Sequence, residues 1–223
     1  MPIGFAIQSR PAPGDASTLD LLRGIPTPIV SDNMARMFAV GPGLRPYHRG
    51  GAMIGSALTV RTRPGDNLMV HKAIDLAEPG DVIVVDAGGD LTNAIIGEIM
   101  TTLAQSRGVA GFVIDGAVRD VDALAASDFP VYARGVTHRG PYKDGPGEIN
   151  VAVTVGGQVV APGDIVVGDG DGVLAVPRSE AAQVASLARA QMEREAATLK
   201  AIAEGRLDRT WVDETLRSRG LRV

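Results

Sequence analysis

The sequence predicts a single mixed α/β domain with a C-terminal helical tail, and three observations support this fold class. The chain has 223 residues, enough for one domain with a full hydrophobic core and few for two. Its composition is 45% hydrophobic and 22% charged, which argues against disorder and against a coiled coil. Short β-branched apolar runs alternate with stretches of helical periodicity, and 28 glycines and 14 prolines supply the turns between them.

Composition also excludes several classes of function. The net charge of −4 comes without an obvious basic patch, so we expect no nucleic-acid partner. The absence of cysteine excludes disulfides, thiolate zinc sites and cysteine nucleophiles, and it fits a cytoplasmic protein. No apolar run approaches the roughly 18 to 20 residues of a membrane span, so we expect no membrane partner.

The first part of the chain is predicted to hold a loose arm and two short helices. Residues 1–16 contain three prolines and two glycines, which favours an arm without regular structure. Residues 17–20 form a capping sequence for a short helix that ends at Gly24. A second capping cluster at 31–33 predicts a helix over Met34 to Phe38.

The clearest unit is a strand, a helix and a second strand. Residues 82–85 are apolar at every position, which is typical of a strand buried on both faces. A helix is predicted from Thr92 to Arg107, because apolar residues there recur at i, i+4 spacing, for example at Ile95, Ile99 and Leu103. A second buried strand follows at 110–114. This order predicts two parallel strands with a right-handed crossover.

The remaining chain is predicted to add short strands and one long helix. Strands are expected at 57–62, before a helical stretch at 67–77, and later at 131–133, 149–155, 158–161, 165–167 and 173–176. Gly156-Gly157 suits a two-residue hairpin turn. Residues 178–204 read as one helix whose apolar positions are too sparse for full burial, so one face is expected to meet solvent or another subunit. We therefore divide the chain into a domain at 1–177 and a tail at 178–223.

Two polar clusters, at 86–90 and 115–120, follow the two buried strands, where open parallel sheets bind ligands. Gly88-Gly89-Asp90 before a helix has two interpretations: an anion site at the helix N-terminus, or an ordinary tight turn with an aspartate cap, which the residues alone favour. The three histidines, at positions 48, 71 and 138, have no metal-ligand spacing.

Arg119-Asp120 is the second candidate site. Adjacent Arg and Asp residues are usually a solvated pair of little energetic value. Here they follow a buried strand, and 20 residues separate Arg119 from Glu98 across the crossover. A guanidinium that binds carboxylates beside a carboxylate that holds a divalent cation would make a site for a small anion. Both interpretations stay open on the residues alone.

Several ordered motifs between about Ile25 and Pro177 resemble those of the RraA-like family. The motifs are Gly88-Gly89, Gly97-Glu98, Gly108 to Gly111, Asp115 to Asp120, Arg139-Gly140-Pro141, Pro162-Gly163-Asp164 and Asp169 to Val173. The family has a swivelling β/β/α fold. It includes class II pyruvate aldolases that act on 4-hydroxy-4-methyl-2-oxoglutarate and 4-carboxy-4-hydroxy-2-oxoadipate, and regulators that inhibit ribonuclease E.

The resemblance implies roles for the residues at this strand end. An acidic residue, twenty intervening residues and Arg-Asp form the aldolase signature, which Glu98, Arg119 and Asp120 fit. By resemblance Asp120 ligates Mg²⁺ or Mn²⁺, Arg119 binds the pyruvyl group, and Glu98 reaches waters on the metal. Residues Gly97, Glu98, Ile99 and Met100 would line the substrate with backbone amides.

The expected function is therefore a metal-dependent lyase that cleaves 4-hydroxy-2-oxo acids to pyruvate, with oxaloacetate decarboxylation as a side activity. A Schiff-base mechanism is not expected, because Lys72, Lys143 and Lys200 lie outside the motif. The resemblance implies a homotrimer or homohexamer in which Glu193 or Glu195 reaches a neighbouring site, although the ending from Gly205 to Trp211 departs from the aldolase branch. The alternatives are a non-enzymatic inhibitor of a ribonuclease and an enzyme for another small oxo acid.

Overall fold

The structure is a computed structural model that describes residues 3–11 and 16–223. The strands are β1 (Phe5–Ile7), β2 (Arg45–Pro46), β3 (Met53–Thr62), β4 (Asp81–Asp86), β5 (Ala94–Ile96), β6 (Gly111–Val118), β7 (Val131–Val136), β8 (Gly147–Ile149), β9 (Val153–Val155), β10 (Gln158–Val160), β11 (Ile165–Asp169) and β12 (Gly172–Val176). The helices are α1 (Ala16–Leu22), α2 (Thr27–Asp32), α3 (Leu68–Leu76), α4 (Glu98–Ser106), α5 (Val121–Ala126), α6 (Ala181–Ala203) and α7 (Thr210–Ser218).

A mixed sheet organises the domain and confirms the predicted fold class. Its main path runs β1-β8-β3-β4-β6-β7-β2, with β5, β11 and β12 attached at its sides. The pairs β3–β4, β4–β6 and β6–β7 are parallel, so the strand–helix–strand unit around α4 is confirmed. The predicted hairpin with Gly156-Gly157 at its turn is also confirmed, as β9 and β10, which pair antiparallel.

Burial explains why these strands are apolar throughout. Residues 82–85 are at most 1% exposed, because β4 is covered on both faces. One face packs against α3, α4 and α5, and the other against the β9–β10 hairpin. A third cluster joins α1, α2 and the first half of α6 to β11 and β12. The carboxyl ends of β4 and β6 are thereby held side by side at one edge of the core.

The two C-terminal helices become more exposed along the chain, although α6 is one continuous helix. Its first half buries Val184, Ala185 and Ala188 against the body of the domain. Every residue from 193 to 200 is exposed, and α7 buries none of its side chains. The expected contact of this tail with another subunit stays a prediction.

The predicted helix from Thr92 to Arg107 is wrong in its first part. A turn and the short strand β5 precede α4, and β5 pairs with the last residues of β6. Ile95 and Ile96 are therefore buried as strand residues, whereas Ile99 and Leu103 are 78% and 39% exposed. The i, i+4 spacing that predicted one helix was produced by apolar residues of β5 together with those of α4.

The predicted helix over Met34 to Phe38 is also wrong. The helix lies earlier, at α2, and Pro28 occupies its first turn, where a missing backbone N–H costs nothing. The cluster at 31–33 ends this helix: the Asn33 side chain donates to the carbonyl of Ile29 at 2.8 Å. Ala35 and Arg36 then adopt left-handed backbone conformations, which a helix cannot contain.

Three other boundaries differ from the expectations. In the described part of the supposed loose arm, β1 pairs with β8. The predicted strand 149–155 is two strands, because Asn150 has a positive φ of 59° between them. Strand β6 extends to Val118, so Asp115 lies within the strand and pairs in register with Asp86.

Among the described residues, no helix combines the length and the apolar character that crossing a membrane requires.

Candidate functional site

The candidate site lies where β6 ends and α4 begins. Gly97 joins β5 to α4 in an extended conformation (φ −154°). Asp120 precedes α5 in a left-handed conformation (φ 58°, ψ 41°). Aspartate is one of the few non-glycine residues that visit this region, at a cost of about 1 kcal/mol or more. Backbone strain of this kind is concentrated at functional sites.

Arg119 and Asp120 stay close together. The guanidinium Nε of Arg119 lies 3.7 Å from Oδ2 of Asp120. The same Oδ2 accepts a hydrogen bond from the backbone N–H of Glu98 at 3.0 Å. The Arg119 backbone N–H donates to the carbonyl of Ile96 at 3.0 Å, which fixes the end of β6 against β5. Both side chains are about two-fifths exposed, so the pair is accessible from solvent.

Gly97 is required here by space and not by backbone conformation. A Cβ at this position would lie 2.3 Å from Oδ2 of Asp120 and 2.8 Å from Cγ of Arg119. A Cβ atom essentially never approaches another atom this closely, so a side chain at this position would push the Asp120 carboxylate or the Arg119 side chain out of place. The absence of a side chain at Gly97 therefore keeps Asp120 against the start of α4.

A cavity of about 260 Å³ adjoins this pair. Its lining residues are Asn67, His71, Ile95, Ile96, Gly97, Ile99, Met100, Arg119, Gly140, Pro141 and Lys143. The volume is below the usual range for drug-sized ligands and suits a small acid. Of the residues singled out in the sequence, Arg119, Gly97, Ile99 and Met100 line the cavity, while Asp120 and Glu98 lie outside the lining.

The charge of the lining favours an anion. It contains the cations Arg119 and Lys143 and no carboxylate. His71 adds no further fixed charge: burial and the nearby Lys143 lower its pKa below the usual value, and Asp75 only partly opposes this. A ligand with one or two carboxylate groups fits such a lining.

Sequence reasoning missed one wall of the cavity. Asn67 immediately precedes α3 and His71 lies in its first turn, while Gly140 and Lys143 belong to the loop after β7. Gly140 lies so close to Arg119 that a Cβ there would be 3.3 Å from Nη1. Lys143, which lies outside the sequence motif, lines the cavity because the loop after β7 returns to it. The resemblance through Arg139-Gly140-Pro141 was the available signal.

Asn67 has a further distinctive feature. It is 2% exposed, and its side-chain N–H₂ donates to the Ile95 carbonyl at 2.8 Å. That bond fixes the amide orientation, and the side-chain oxygen is left buried without a partner among the described residues. Unpaired buried acceptors are uncommon and costly.

Asp86 at the end of β4 and Asp115 on the neighbouring β6 belong to a closed hydrogen-bond network instead of a site. Asp115 accepts from Nε of Arg134 at 2.5 Å and from the backbone N–H of Gly156 at 2.8 Å. Asp86 accepts from the backbone N–H groups of Gly88 at 3.0 Å and Thr154 at 3.1 Å. Both carboxylates are therefore occupied by protein donors.

The structure decides between the two interpretations of Gly88-Gly89-Asp90. No helix begins there: α4 starts at Glu98, after β5. Both glycines have a φ of 69°, and the Asp90 side chain accepts from the N–H of Thr92 at 3.1 Å. The segment is a tight turn followed by a local bond from Thr92 to Asp90, so the tight-turn interpretation is confirmed and the anion site at a helix N-terminus is wrong.

A divalent cation would have few protein ligands in this structure. Across residues 3–11 and 16–223, no three His, Asp or Glu side chains are arranged to hold a metal ion. Asp120 is a suitable single ligand, because its side chain is partly exposed and its Oδ1 accepts no hydrogen bond from the described residues, whereas Oδ2 packs against Gly97 and accepts from the Glu98 N–H. Mg²⁺ is commonly held by one or two carboxylates with water in its other positions, so Asp120 fits the ion.

Comparison with known proteins assigns the family. A model of the RraA-like family, described as Aldolase/RraA, matches residues 27–175, which is more than half of the chain. The chain belongs to the RraA-like family.

Similar proteins agree with this assignment. The chain is 41% identical over 182 residues to a protein of Halalkalibacterium halodurans named "Putative 4-hydroxy-4-methyl-2-oxoglutarate aldolase", covering 82% of this chain and 87% of that one. A crystal structure of an uncharacterized protein from Pseudomonas syringae has a TM-score of 0.79 at 30% identity, covering 87% and 96% of the two chains. The RNA-processing inhibitor RraA from Thermus has a TM-score of 0.63 at 32% identity, covering 68% and 92%.

Proposed function

We propose that this RraA-like protein is a divalent-metal-dependent lyase that cleaves 4-hydroxy-2-oxo acids to pyruvate and also decarboxylates oxaloacetate. The observation that carries the proposal is the placement of Arg119 and Asp120 together beside a small cavity with a cationic lining. The name of the relative that is 41% identical supports the aldolase class.

The reaction needs stabilisation of one developing negative charge. In retro-aldol cleavage the C4 hydroxyl loses its proton and C4 becomes the carbonyl carbon of the second product, while the C3–C4 bond breaks and the electron pair of that bond enters a pyruvate enolate. Protonation of that enolate at C3 gives pyruvate. Decarboxylation of oxaloacetate breaks the corresponding bond with loss of CO₂ and forms the same enolate, which explains why one site would catalyse both reactions.

Arg119 supplies a fixed positive charge where the enolate forms. Its backbone is held by Ile96 and its guanidinium lies beside Gly140, so its position is set before substrate binds. A preorganised donor of this kind is worth about 3 kcal/mol in transition-state stabilisation. Arg119 would also bind the pyruvyl carboxylate through its guanidinium.

Asp120 and the first turn of α4 would complete the site. Asp120 would hold the divalent cation, which supplies Lewis-acid stabilisation for the enolate charge when bound. In the first turn of α4 the Glu98 N–H donates to Asp120 and the Met100 N–H to the Gly97 carbonyl, so the Ile99 N–H is the amide that would bind a substrate carboxylate. The exposed Glu98 side chain would take a proton through water.

The presence of Lys143 in the lining makes a Schiff-base mechanism the natural competitor. Lysines that form Schiff bases are usually made nucleophilic by burial or by a neighbouring cation, whereas Lys143 is exposed. Reduction with borohydride in the presence of pyruvate tests this point. We expect no mass increase on Lys143, and a covalent pyruvyl adduct there would replace the metal mechanism.

The site is proposed to work in a homotrimer or homohexamer. Exposed apolar side chains occur both beside the cavity, at Ile99 and Leu103, and in the tail, at Leu199, Ile202 and Trp211. Burial of such residues between copies is the usual way to remove them from water. Glu193 and Glu195 do not line the cavity of their own chain, so a role at the site requires a neighbouring subunit.

Pyruvate release from oxaloacetate and from 4-hydroxy-4-methyl-2-oxoglutarate tests the function. The enzyme is assayed with Mg²⁺, with Mn²⁺ and with excess chelator, and the enzyme-free rate is subtracted because metal ions decarboxylate oxaloacetate by themselves. We expect turnover only with metal. Equal rates in metal and chelator would contradict the mechanism, and binding to a ribonuclease without any turnover would favour the inhibitor function instead.

A further inference from the structure

A single buried carboxylate, that of Asp66, joins the start of α3 to the loop after β7, and both segments line the cavity. Asp66 is 0% exposed. Its Oδ1 accepts from the backbone N–H of Leu68 at 2.9 Å. Its Oδ2 accepts from the backbone N–H groups of Asp144 and Gly145, both at 2.9 Å. The first contact fixes the start of α3, and the other two fix the loop after β7.

Further contacts make the turn at 63–67 and the loop at 142–145 one unit. The Tyr142 N–H donates to the Gly65 carbonyl at 2.8 Å, and the Asn67 N–H donates to the Tyr142 carbonyl at 3.0 Å. Arg63 Nη2 donates to Oδ2 of Asp66 at 3.0 Å, and the Arg63 guanidinium lies 5.6 Å from the centre of the Tyr142 ring. The charge of Asp66 is thus balanced by an arginine that also contacts the loop.

The residues beside these contacts face the candidate reaction. Asn67 and His71 follow Asp66 in the chain, and Gly140, Pro141 and Lys143 precede the two amides that it holds. Gly140 in turn adjoins the Arg119 guanidinium. A shift of this loop would change the space beside Arg119 and the position of Lys143, while α4 and Asp120 are held by other contacts.

We propose that Asp66 is a positioning residue for the reaction: its carboxylate holds the loop at 140–145 against α3 and so sets the width of the cavity opposite Arg119. This inference rests on the proposed function for its catalytic consequence. The mechanical part, that Asp66 closes the loop, does not depend on which reaction takes place.

The substitutions Asp66→Asn and Asp66→Ala remove part and all, respectively, of the hydrogen bonds that residue 66 accepts. Asparagine keeps one acceptor oxygen, so it can serve either Leu68 or the loop amides but not both, whereas alanine serves neither. We expect kcat/KM for oxaloacetate to fall about 10-fold in D66N and at least 100-fold in D66A. In D66N the loss should fall mainly on KM, because the loop contacts substrate while Asp120 and α4 keep their own supports.

Asp81 offers a matched control. It is also a buried aspartate (1% exposed), and it accepts from the Arg10 side chain and from the Glu78 backbone N–H, but it lies at the start of β4, outside the cavity lining. Asp81→Asn and Asp81→Ala should lower thermal stability while leaving kcat/KM within threefold at a temperature where the protein is folded.

Trypsin provides a readout that does not depend on catalysis. The bond after Lys143 has as its amide the N–H of Asp144 that Asp66 holds, so cleavage there requires the loop to open. We expect cleavage after Lys143, followed by mass spectrometry, to be at least tenfold faster in D66N than in wild type and unchanged in D81N.

The outcomes separate the two proposals. Retention of kcat/KM within threefold in D66N and D66A, or an equal loss in the Asp81 variants, would overturn the positioning role. If wild type releases no pyruvate with metal, the proposed function fails, and tryptic cleavage after Lys143 then decides whether Asp66 holds the loop at 140–145. Faster cleavage in D66N than in D81N supports that role, and equal rates refute it.

Discussion

Asp115 lies within β6 and Asp120 just beyond its end, and the two carboxylates have opposite surroundings. Asp115 is 5% exposed and its oxygens are occupied by Arg134 and by the Gly156 N–H. Asp120 is about two-fifths exposed, and among the residues that the structure describes its Oδ2 alone is engaged, by the Glu98 N–H and the nearby Arg119. A carboxylate whose oxygens are all paired supports the fold, whereas a partly paired one beside a cavity is available for chemistry.

The comparison extends to arginine. Arg134 is committed to Asp115, and this hydrogen bond raises the Arg134 pKa further above its already high value. Arg119 lies 3.7 Å from its aspartate and lines the cavity. Arg119 and Asp120 are neighbours in the chain, whereas Asp115 and Arg134 are 19 residues apart, and the two pairs differ in what their donors can still bind.

The largest expected effect is that of Arg119→Ala on activity. Loss of one preorganised donor should lower kcat/KM for oxaloacetate at least 100-fold, or about 3 kcal/mol. The melting temperature should change little, because both partners of the Arg119–Asp120 pair are partly exposed and such a pair contributes little to stability. Arg49→Ala serves as the control, since Arg49 forms an exposed pair with Asp128 elsewhere. Normal turnover by R119A would remove the distinction between the two arginines.

Asp115→Ala should show the reverse pattern. It leaves Arg134 and the Gly156 N–H without their acceptor, and breaking a buried pair in this way costs about 3 kcal/mol. Denaturant unfolding should show that loss, while metal-dependent activity per folded molecule stays within about threefold. An unchanged free energy of unfolding with lost activity would mean that Asp115 belongs to the site.

Gly97→Ala tests the contact between α4 and Asp120. The added Cβ would displace the carboxylate, which it would otherwise approach to 2.3 Å. We expect a roughly 10-fold fall in kcat and a higher Mg²⁺ concentration for half-activation, on the scale of a small misplacement at a catalytic group. Gly170→Ala is the matched control, because a Cβ there meets nothing within 4 Å. If G97A and G170A had the same kcat and the same half-activating Mg²⁺ concentration, the role assigned to Gly97 would be refuted.

The smallest expected effect is on the pH dependence of stability. The pKa of His71 is lowered in the folded protein, so the unfolded chain binds more protons as pH falls below the usual histidine value near 6.5. Stability should therefore decline as pH drops from 7 to 5.5. His71→Gln should make that decline shallower, as measured by melting temperature. A parallel decline in both proteins would contradict the neutral state of His71.

Much of the fold was predictable because buried parallel strands leave a strong pattern. The apolar run at 82–85 and the Gly156-Gly157 turn each have one clear structural solution. The segment 92–107 does not, since Ile95 and Ile96 as strand residues happen to fall at helical spacing from Ile99 and Met100. Local periodicity cannot reveal that β5 pairs with the end of β6.

The candidate site was predictable on one side only. Arg119 and Asp120 follow a recognisable strand, and Gly97-Glu98 belongs to a motif. Asn67, His71 and Lys143 reach the cavity through tertiary contacts, chiefly those of Asp66, that join segments far apart in the chain. Glu98 and Asp120 remain outside the cavity lining, which the motif could not show.

The most direct test of the central claim is the metal response of Asp120→Asn. Asparagine tolerates the left-handed conformation at this position and preserves the shape of the side chain, so the fold should be kept. We predict that D120N releases pyruvate from oxaloacetate at the enzyme-free rate at every Mg²⁺ concentration, while wild type is activated and then inhibited by chelator. Mg²⁺-activated turnover by D120N equal to that of wild type would contradict the account.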